Sequence, residues 1–215
     1  MSDVRLLCGD CLEILPTLEA GSIDAVVTDP PYGISYDASH TKYHYGSGIA
    51  RPDATWDIEP FDPHPILELG IPTIMWGANN YASELPRGQS VWLCWVKTAR
   101  NGAKVNQADM ELAYTNCVNR PQVFRHLWIG AYRDSESGIR NVHPTQKPIA
   151  LMKWCLELCS KPGDTILDPY MGSGTTGVAC VQTGRNFVGI EVCEEYFKIA
   201  QRRIAEAQLQ TRMAL

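Results

Sequence analysis

The stretch Ser22–Tyr32, SIDAVVTDPPY, decides the fold. Its apolar centre is a short continuous run of the kind that is buried on both faces of a parallel sheet. Asp29, Pro30, Pro31 and Tyr32 follow, and two consecutive prolines cannot continue a central strand or enter a helix interior. The sequence therefore predicts a buried strand that ends in a stiff extended segment, which holds an acid and an aromatic ring in place.

Strand-like and helix-like segments alternate along the rest of the chain. Helices are predicted at CLEILPTLEAG, at PIALMKWCLELCSKPGD, from about Thr175, and at the C-terminal end. This alternation indicates an α/β fold, with a mostly parallel seven-stranded sheet and helices on both faces. The seven predicted strands are RLLCGD, SIDAVVTD, PTIMWGANN, SVWLCWVK, MELAYTN, TILDPY and NFVGIEV.

The composition is typical of a globular protein. With 215 residues, the chain is long enough for one core, so a single domain over 1–215 is expected. It is 45% hydrophobic and 20% charged. No apolar run approaches the roughly 20 residues that span a bilayer, and the first residues do not resemble a signal peptide. These features predict a cytoplasmic protein with no membrane partner.

The eight cysteines lie mostly in apolar segments, which is typical of buried thiols in a reducing compartment. Cys8 and Cys11 have the C-x-x-C spacing of a redox or zinc pair. However, no second C-x-x-C or C-x-x-H pair completes a set of four ligands. No metal site is predicted.

Four acids end or follow predicted strands: Asp10, Asp29, Asp168 and Glu191. In parallel sheets, ligands bind beyond the carboxyl ends of the strands, where the strand order reverses. Because these ends meet at one edge, we expect the four acids to line one rim. For Asp10, a role as a helix N-cap is an equally good interpretation.

A glycine-rich turn follows Asp168 in LDPYMGSGTTGVAC, residues 167–180. Gly172 and Gly174 allow the backbone to approach a ligand closely, and Thr175 begins a helix whose free N–H groups favour negative charge. The stretch lacks the Lys of the phosphate-binding loop and the third glycine of the dinucleotide fingerprint. With Glu191 where ribose hydroxyls bind in such sheets, it predicts an adenosine-bearing cofactor without a pyrophosphate.

Together the motifs resemble those of the amino-group DNA methyltransferases that use S-adenosylmethionine. DPPY (29–32) is similar to their catalytic motif, and DPYMGSGTT (168–176) to their cofactor motif, which usually has Phe in place of Tyr170. HPTQKP (143–148) is similar to the element before the cofactor motif in the β-group. The resemblance implies a single-domain, Rossmann-like methyltransferase fold in permuted order, with the catalytic half first and the cofactor half last.

The resemblance also implies the reaction, methyl transfer to the exocyclic amine of a base flipped out of double-stranded DNA. Asp29 and the Pro30 carbonyl would accept hydrogen bonds from the amine, held stiffly by Pro31, while Tyr32 would stack on the base. Asp in first place favours adenine N6 over cytosine N4. An RNA base amine and a catalytically silent nucleic-acid-binding relative stay open as alternatives. A nicotinamide oxidoreductase is disfavoured by the missing third glycine.

For the cofactor, the resemblance assigns Glu191 to the ribose hydroxyls, and Asp10 with Cys11 to the adenine edge. Lys147 would face the methionine carboxylate, although a surface lysine before a helix is an alternative interpretation. The remaining predicted cofactor residues are Thr145, Asp168, Tyr170, Gly172, Gly174 and Thr175.

Two insertions are expected to face DNA. Residues 117–142 are short for a target-recognition segment of this family, so recognition should be short or relaxed. From Lys97 to Lys147 there are eight Lys or Arg and four acids, in a chain of net charge −5; a solvated face would explain this surplus equally well. Residues 33–64 could close over the flipped base or read its neighbours. A homodimer and a partner restriction endonuclease are left open.

Overall fold

The computed structural model describes residues 2–33, 60–88, 90–98, 108–129, 132–138, 142 and 145–213. The strands are β1 (Val4–Cys8), β2 (Ala25–Thr28), β3 (Thr73–Trp76), β4 (Val91–Val96), β5 (Met110–Thr115), β6 (Gln122–Arg125), β7 (Trp128–Ile129), β8 (Tyr132–Arg133), β9 (Thr165–Asp168) and β10 (Asn186–Glu191). The helices are α1 (Cys11–Ile14), α2 (His64–Leu67), α3 (Ile149–Cys159), α4 (Thr175–Gln182) and α5 (Glu194–Met213). Over these residues, no helix combines the length and the apolar character that crossing a membrane requires.

Eight strands form one sheet in the order β1-β10-β9-β2-β3-β5-β4-β6. β1, β10, β9, β2 and β3 run parallel to one another, whereas β5 runs antiparallel to both β3 and β4. The α/β fold with a mostly parallel sheet is confirmed, and all seven predicted strands are present. Strand order reverses at β2, which lies between β3 and β9.

The eighth strand comes from the segment 117–142, for which the sequence predicted no strand. β6 pairs in parallel with β4 at the edge of the sheet, and β7 and β8 form a small antiparallel hairpin. Only Val123 and Phe124 are apolar in β6, too few to mark a strand in the sequence. The Phe124 ring stacks on Trp154 of α3 at 5.1 Å, and this long-range contact holds the strand against the core.

Apolar side chains pack on both faces of the sheet. On one face, alternate strand residues such as Val27 and Ile166 pack against α3, α4 and α5. On the other face, Val26 and Leu167 pack with residues of α1 and α2. Side chains of neighbouring positions on a strand point to opposite faces, so a fully apolar strand fills both cores. This confirms the prediction of helices on both faces.

The helix boundaries follow from local chemistry. α1 gives way to a 3-10 turn at Leu15–Thr17, which contains Pro16. α3 begins directly after Pro148, whose fixed φ suits that position. α5 buries Ala200, Ile204 and Ala207 on one side, as the periodicity predicts.

Gly177 in the middle of α4 gives a testable packing prediction. A Cβ there would lie 2.5 Å from Ile204 Cδ1 and 2.7 Å from Phe187 Cε1, and both of these side chains are buried. Helix propensity alone favours Gly177→Ala by about 1 kcal/mol, but overpacking a core typically costs about 1–3 kcal/mol. We expect Gly177→Ala to lower the free energy of unfolding in urea titrations. Exposed Ala205→Gly, which tests propensity alone, should lose about 1 kcal/mol; a more stable Gly177→Ala protein would contradict the packing argument.

Candidate active site

The four strand-end acids lie along one edge of the sheet. Parallel pairing aligns Cys8 with Glu191, and Gly189 with Asp168, so the carboxyl ends of β1, β10 and β9 are neighbours. β2 continues the row, because it pairs in parallel with β9 and leads into Asp29. The predicted rim is therefore present. At its β1 end, the Asp10 carboxylate accepts a hydrogen bond from the Leu12 N–H at 2.8 Å and caps α1, as the alternative interpretation expected.

Asp29 lies at the centre of a hydrogen-bonded cluster. Its Oδ1 accepts a hydrogen bond from the Tyr32 hydroxyl at 2.5 Å, and its Oδ2 one from Lys147 Nζ at 2.5 Å. Lys147 also donates to the Tyr32 hydroxyl oxygen at 3.2 Å. Thus the HPTQKP element, which the sequence assigned to the cofactor, places its lysine among the side chains of DPPY.

Glu111, at the start of β5, joins this cluster and was not predicted. Its Oε2 lies 3.1 Å from Lys147 Nζ, and its Oε1 lies 2.6 Å from Lys97 Nζ. β5 runs antiparallel to β3, so its first residues reach the edge at which the parallel strands end. Lys97 follows the end of β4 at the same edge, because Trp95 is paired with Glu111. An acid in an otherwise apolar strand was the available sequence signal.

The glycine-rich turn lies between β9 and α4, beside this cluster. Asp168 Oδ1 accepts hydrogen bonds from the Thr28 hydroxyl at 2.7 Å and the Tyr170 N–H at 3.2 Å. The Glu191 carboxylate accepts from the backbone N–H of Gly172 at 2.9 Å and of Cys193 at 2.8 Å. These bonds tie the turn to the ends of three strands. Hence the two halves of the predicted site meet where β2 and β9 are neighbours.

Backbone conformation and close packing explain why glycine occupies two positions of this turn. Gly172 and Gly174 have φ values of 50° and 80°, in the left-handed region that other residues rarely adopt. A Cβ at Gly174 would lie 2.9 Å from Ala200 Cβ, so the close approach seen at this position is to α5. Arg203 of α5 also holds the turn: its Nη1 donates to the Ser173 carbonyl at 2.6 Å and to the Thr175 hydroxyl at 3.3 Å.

The family of the chain is shown by comparison with known proteins. The N6/N4 DNA methylase model matches residues 71–202, more than half of the chain. This chain is a member of that DNA methylase family. The match includes HPTQKP and the glycine-rich turn, and it begins after DPPY.

Several relatives extend the similarity of the methylase to nearly its whole length. The Escherichia coli (strain K12) protein named "Putative methylase YubD" is 28% identical, over 95% of this chain and 91% of its own. Type II methyltransferase M.HpaI of Haemophilus parainfluenzae is 26% identical, over 94% of this chain and 74% of its own. Among solved structures, the M1.HpyAVI–SAM complex is 26% identical, with a TM-score of 0.59 and coverage of 94% and 98% of the two chains.

The fold is shared more widely than the sequence. The cytosine-N4-specific PvuII DNA methyltransferase is 15% identical, with a TM-score of 0.63, over 98% of this chain and 93% of its own. At this level of identity the likeness concerns the fold alone.

Burial and charge shift the pKa values of the methylase's central groups in different directions. Burial raises the pKa of Asp29, Lys147 opposes this shift, and the negative charge of Glu111 adds to it. The pKa of Glu111 is lowered, because Lys147 and Lys97 together outweigh the effect of its burial. Burial alone would lower the pKa of Lys147, but Asp29 and Glu111 raise it, so this lysine stays cationic at neutral pH.

Burial raises the pKa of Asp168 to about 6, although the hydroxyls of Thr176 and Thr28 oppose the shift. Asp29 contributes to the rise through its own negative charge. The two acids lie beside each other at the ends of β2 and β9, so acidic side chains meet at the boundary between the two halves of the site.

Other predicted residues take less central places. Cys11 is buried in the same apolar cluster that Tyr170 packs against, and Thr145 lies half-buried two residues before Lys147. In the part of the chain that the structure describes, no group of three His, Cys, Asp or Glu side chains could hold a metal ion. Arg100, Lys104, Arg140, His143 and most of the insertion 33–64 lie outside the described residues.

Gly77, which follows β3, was also missed and positions Tyr32. Its φ of 74° suits glycine, and a Cβ there would overlap the Tyr32 ring. We expect Gly77→Ala to move the ring, weaken the Tyr32–Asp29 hydrogen bond, and lower methyl transfer. The left-handed backbone should add a loss of about 1–2 kcal/mol in stability.

Tritiated methyl transfer and urea unfolding of the Gly77→Ala protein check this prediction. Gly70→Ala is the matched control, because Gly70 has a φ of 65° and open space around its Cβ position. It should lose comparable stability and keep its activity. Equal activity losses in the two variants would contradict a specific role of Gly77 under Tyr32.

Proposed function

We propose that this DNA methylase transfers the methyl group of S-adenosylmethionine to the N6 amine of an adenine flipped out of duplex DNA. The main support is the adjacency of Asp29 and the glycine-rich turn at the ends of neighbouring strands, with Thr28 donating to Asp168 at 2.7 Å. An acceptor for an amine and a turn suited to an adenosine-bearing group thus meet in one site. The Asp that opens DPPY favours adenine over cytosine.

The residues of the rim fit S-adenosylmethionine. Glu191 is a carboxylate fixed by two backbone N–H groups, and its remaining lone pairs can accept from ribose hydroxyls. The first turn of α4 begins after Gly174, which has no side chain to occupy the N–H groups there. These N–H groups suit the methionine carboxylate. The contacts expected for Asp10, Cys11, Thr145, Tyr170, Gly172 and Thr175 stay predictions.

Lys147 has a further role in this proposal. The methionine carboxylate stays a predicted partner of this lysine. However, Lys147 Nζ already lies close to Asp29, Glu111 and Tyr32. Burial raises the pKa of Asp29, and a buried cation at this place opposes that rise and so favours the carboxylate form. We therefore assign Lys147 to Asp29 as well as to the cofactor.

S-adenosylmethionine supplies a methyl group bound to a positively charged sulfur. The chain's own residues then have to orient the amine. Asp29 and the Pro30 carbonyl accept its two N–H bonds, which directs the nitrogen lone pair away from them, and the prolines keep both acceptors still. As the new C–N bond forms, the methyl–sulfur bond breaks and the sulfur leaves as a neutral thioether; the nitrogen must then lose a proton, and we assign its acceptance to the Asp29 carboxylate. Tyr32 would stack on the flipped base.

The DNA-facing surface is proposed at β6, β7 and β8. Arg120, Arg125 and Tyr132 are exposed there, and the Arg133 guanidinium lies 4.3 Å from the Trp128 ring centre. Exposed arginines can contact phosphates, and the short segment fits limited base recognition. Lys97 and Lys147 belong to the internal cluster instead. A homodimer, a restriction endonuclease partner and a cytoplasmic location stay predictions.

The base that is modified can be identified directly. Unmethylated duplex DNA is incubated with tritiated S-adenosylmethionine. The DNA is then digested to nucleosides, and the methylated nucleoside is identified by mass spectrometry. We expect N6-methyladenine. N4-methylcytosine would keep the reaction and overturn the choice of base, and a lack of any methylated nucleoside would contradict the proposed activity.

Asp29→Asn tests the role of the central acid. The amide keeps the size of the side chain but removes its charge and one acceptor, so we expect transfer to fall by about 10²–10⁴-fold. Affinity for S-adenosylmethionine, measured by calorimetry, should change little. Glu157→Gln, an equivalent change at an exposed site on α3, is the control. Full activity of Asp29→Asn would rule out Asp29 as the acceptor.

A further inference from the structure

Four charged side chains form a continuous row inside the site. Asp29 contacts Lys147 at 2.5 Å, Lys147 contacts Glu111 at 3.1 Å, and Glu111 contacts Lys97 at 2.6 Å. Charges alternate along this row, and the side chains of all four are at most 20% exposed. In such surroundings each charge acts strongly on its neighbours, because water screens them little.

Lys147 divides its interactions between two carboxylates. Its ammonium donates hydrogen bonds to Asp29 and Tyr32, and it forms an ion pair with Glu111 Oε2 at 3.1 Å, an oxygen that accepts no hydrogen bond. A cation that is shared between two acids withdraws less charge from each than a cation paired with one. The distances show that Asp29 is the nearer partner and Glu111 the more distant one.

Lys97 fixes Glu111 in this arrangement. It donates a hydrogen bond to Glu111 Oε1 at 2.6 Å, whereas Lys147 contacts the other oxygen, Oε2. Lys97 follows β4 and Glu111 starts β5, and these two strands are neighbours in the sheet. The position of Glu111 relative to Lys97 is thus set by the sheet itself.

We propose that Glu111 is a positioning residue, which shares the charge of Lys147 with Asp29 and so keeps Asp29 a strong acceptor for the target amine. The part of this inference that concerns the amine rests on the proposed function. The sharing of Lys147 between the two acids concerns the free protein, and it can be tested without substrate.

When Glu111 is neutralised, the pKa of Asp29 should move in a definite direction. The groups that act on Asp29 are Lys147, Glu111, Tyr32, and, across the neighbouring elements, Asp168 and Tyr81. Of these, Lys147 lowers the pKa of Asp29 and Glu111 raises it. Without the charge of Glu111, Lys147 acts on Asp29 alone. Asp29 should then be ionised down to a lower pH and accept the amine hydrogen bond less strongly.

The experiment measures Glu111→Gln in two ways. In the free protein labelled with ¹³C-aspartate, the carboxyl signal assigned by its loss in Asp29→Asn is titrated by NMR. With duplex DNA, single-turnover rates of methyl transfer are measured across the acidic pH range. We expect the Asp29 titration and the acidic limb of the rate to move to lower pH by about half a unit or more. The plateau rate should fall with it, by up to about threefold for each half unit of the shift.

Two further variants control for the loss of a carboxylate elsewhere and for instability of the Glu111→Gln protein. Glu157→Gln removes a carboxylate from an exposed site on α3 and should leave the titration of Asp29 unchanged. Glu111→Gln combined with Lys97→Met removes both members of the outer pair, which avoids an unpaired buried lysine if the single variant is unstable. This double variant should show the same direction of shift.

The possible results separate the inference from the proposed function. A downward shift of the Asp29 titration with a lower plateau rate supports the inference. An unshifted titration in a folded variant overturns it, even if activity falls, because a merely structural role would lower the rate without moving the pH dependence. If the wild-type protein transfers no methyl group, the proposed function fails, and with it the role of Glu111 in transfer, whereas the NMR titration still decides whether Lys147 is shared.

Discussion

The parallel pairing of β2 with β9 is the constraint on which the site depends. It aligns Ala25 with Ile166 and Val26 with Leu167, although these residues are far apart in the sequence. Because both strands run the same way, the segments that leave them emerge side by side. The Thr28 hydroxyl then reaches Asp168 at 2.7 Å. Without this pairing, the acid of DPPY and the glycine-rich turn would be two unrelated strand ends.

The same edge collects charge that a folded protein normally keeps in water. Moving an ionised side chain out of water is costly unless opposite charges and hydrogen bonds replace the lost hydration. Here Lys147 stands between Asp29 and Glu111, and Lys97 completes the row. Such a cluster is weak evidence for stability, since apolar residues could fill the same space. Its presence in the site of a DNA methylase fits a functional purpose better.

Much of the architecture could be predicted from local pattern. The seven strands, the helix after Pro148 and the helix from Thr175 follow from apolar periodicity and from Pro and Gly positions, which act over a few residues. β6 could not be predicted, because its two apolar residues give no clear alternation. Its place depends on Phe124 packing against Trp154, a contact between distant parts of the chain.

The sequence by itself determined the α/β fold, the rim of strand-end acids and the order of the two motifs, because strand ends and stiff or glycine-rich turns are local properties. Only the tertiary structure decided which charges meet. The antiparallel direction of β5 brings the first part of that strand, with Glu111, to the edge where the parallel strands end. The direction of a strand is set by its neighbours in the sheet, and the partners of a long side chain such as Lys147 are set by the packing around it.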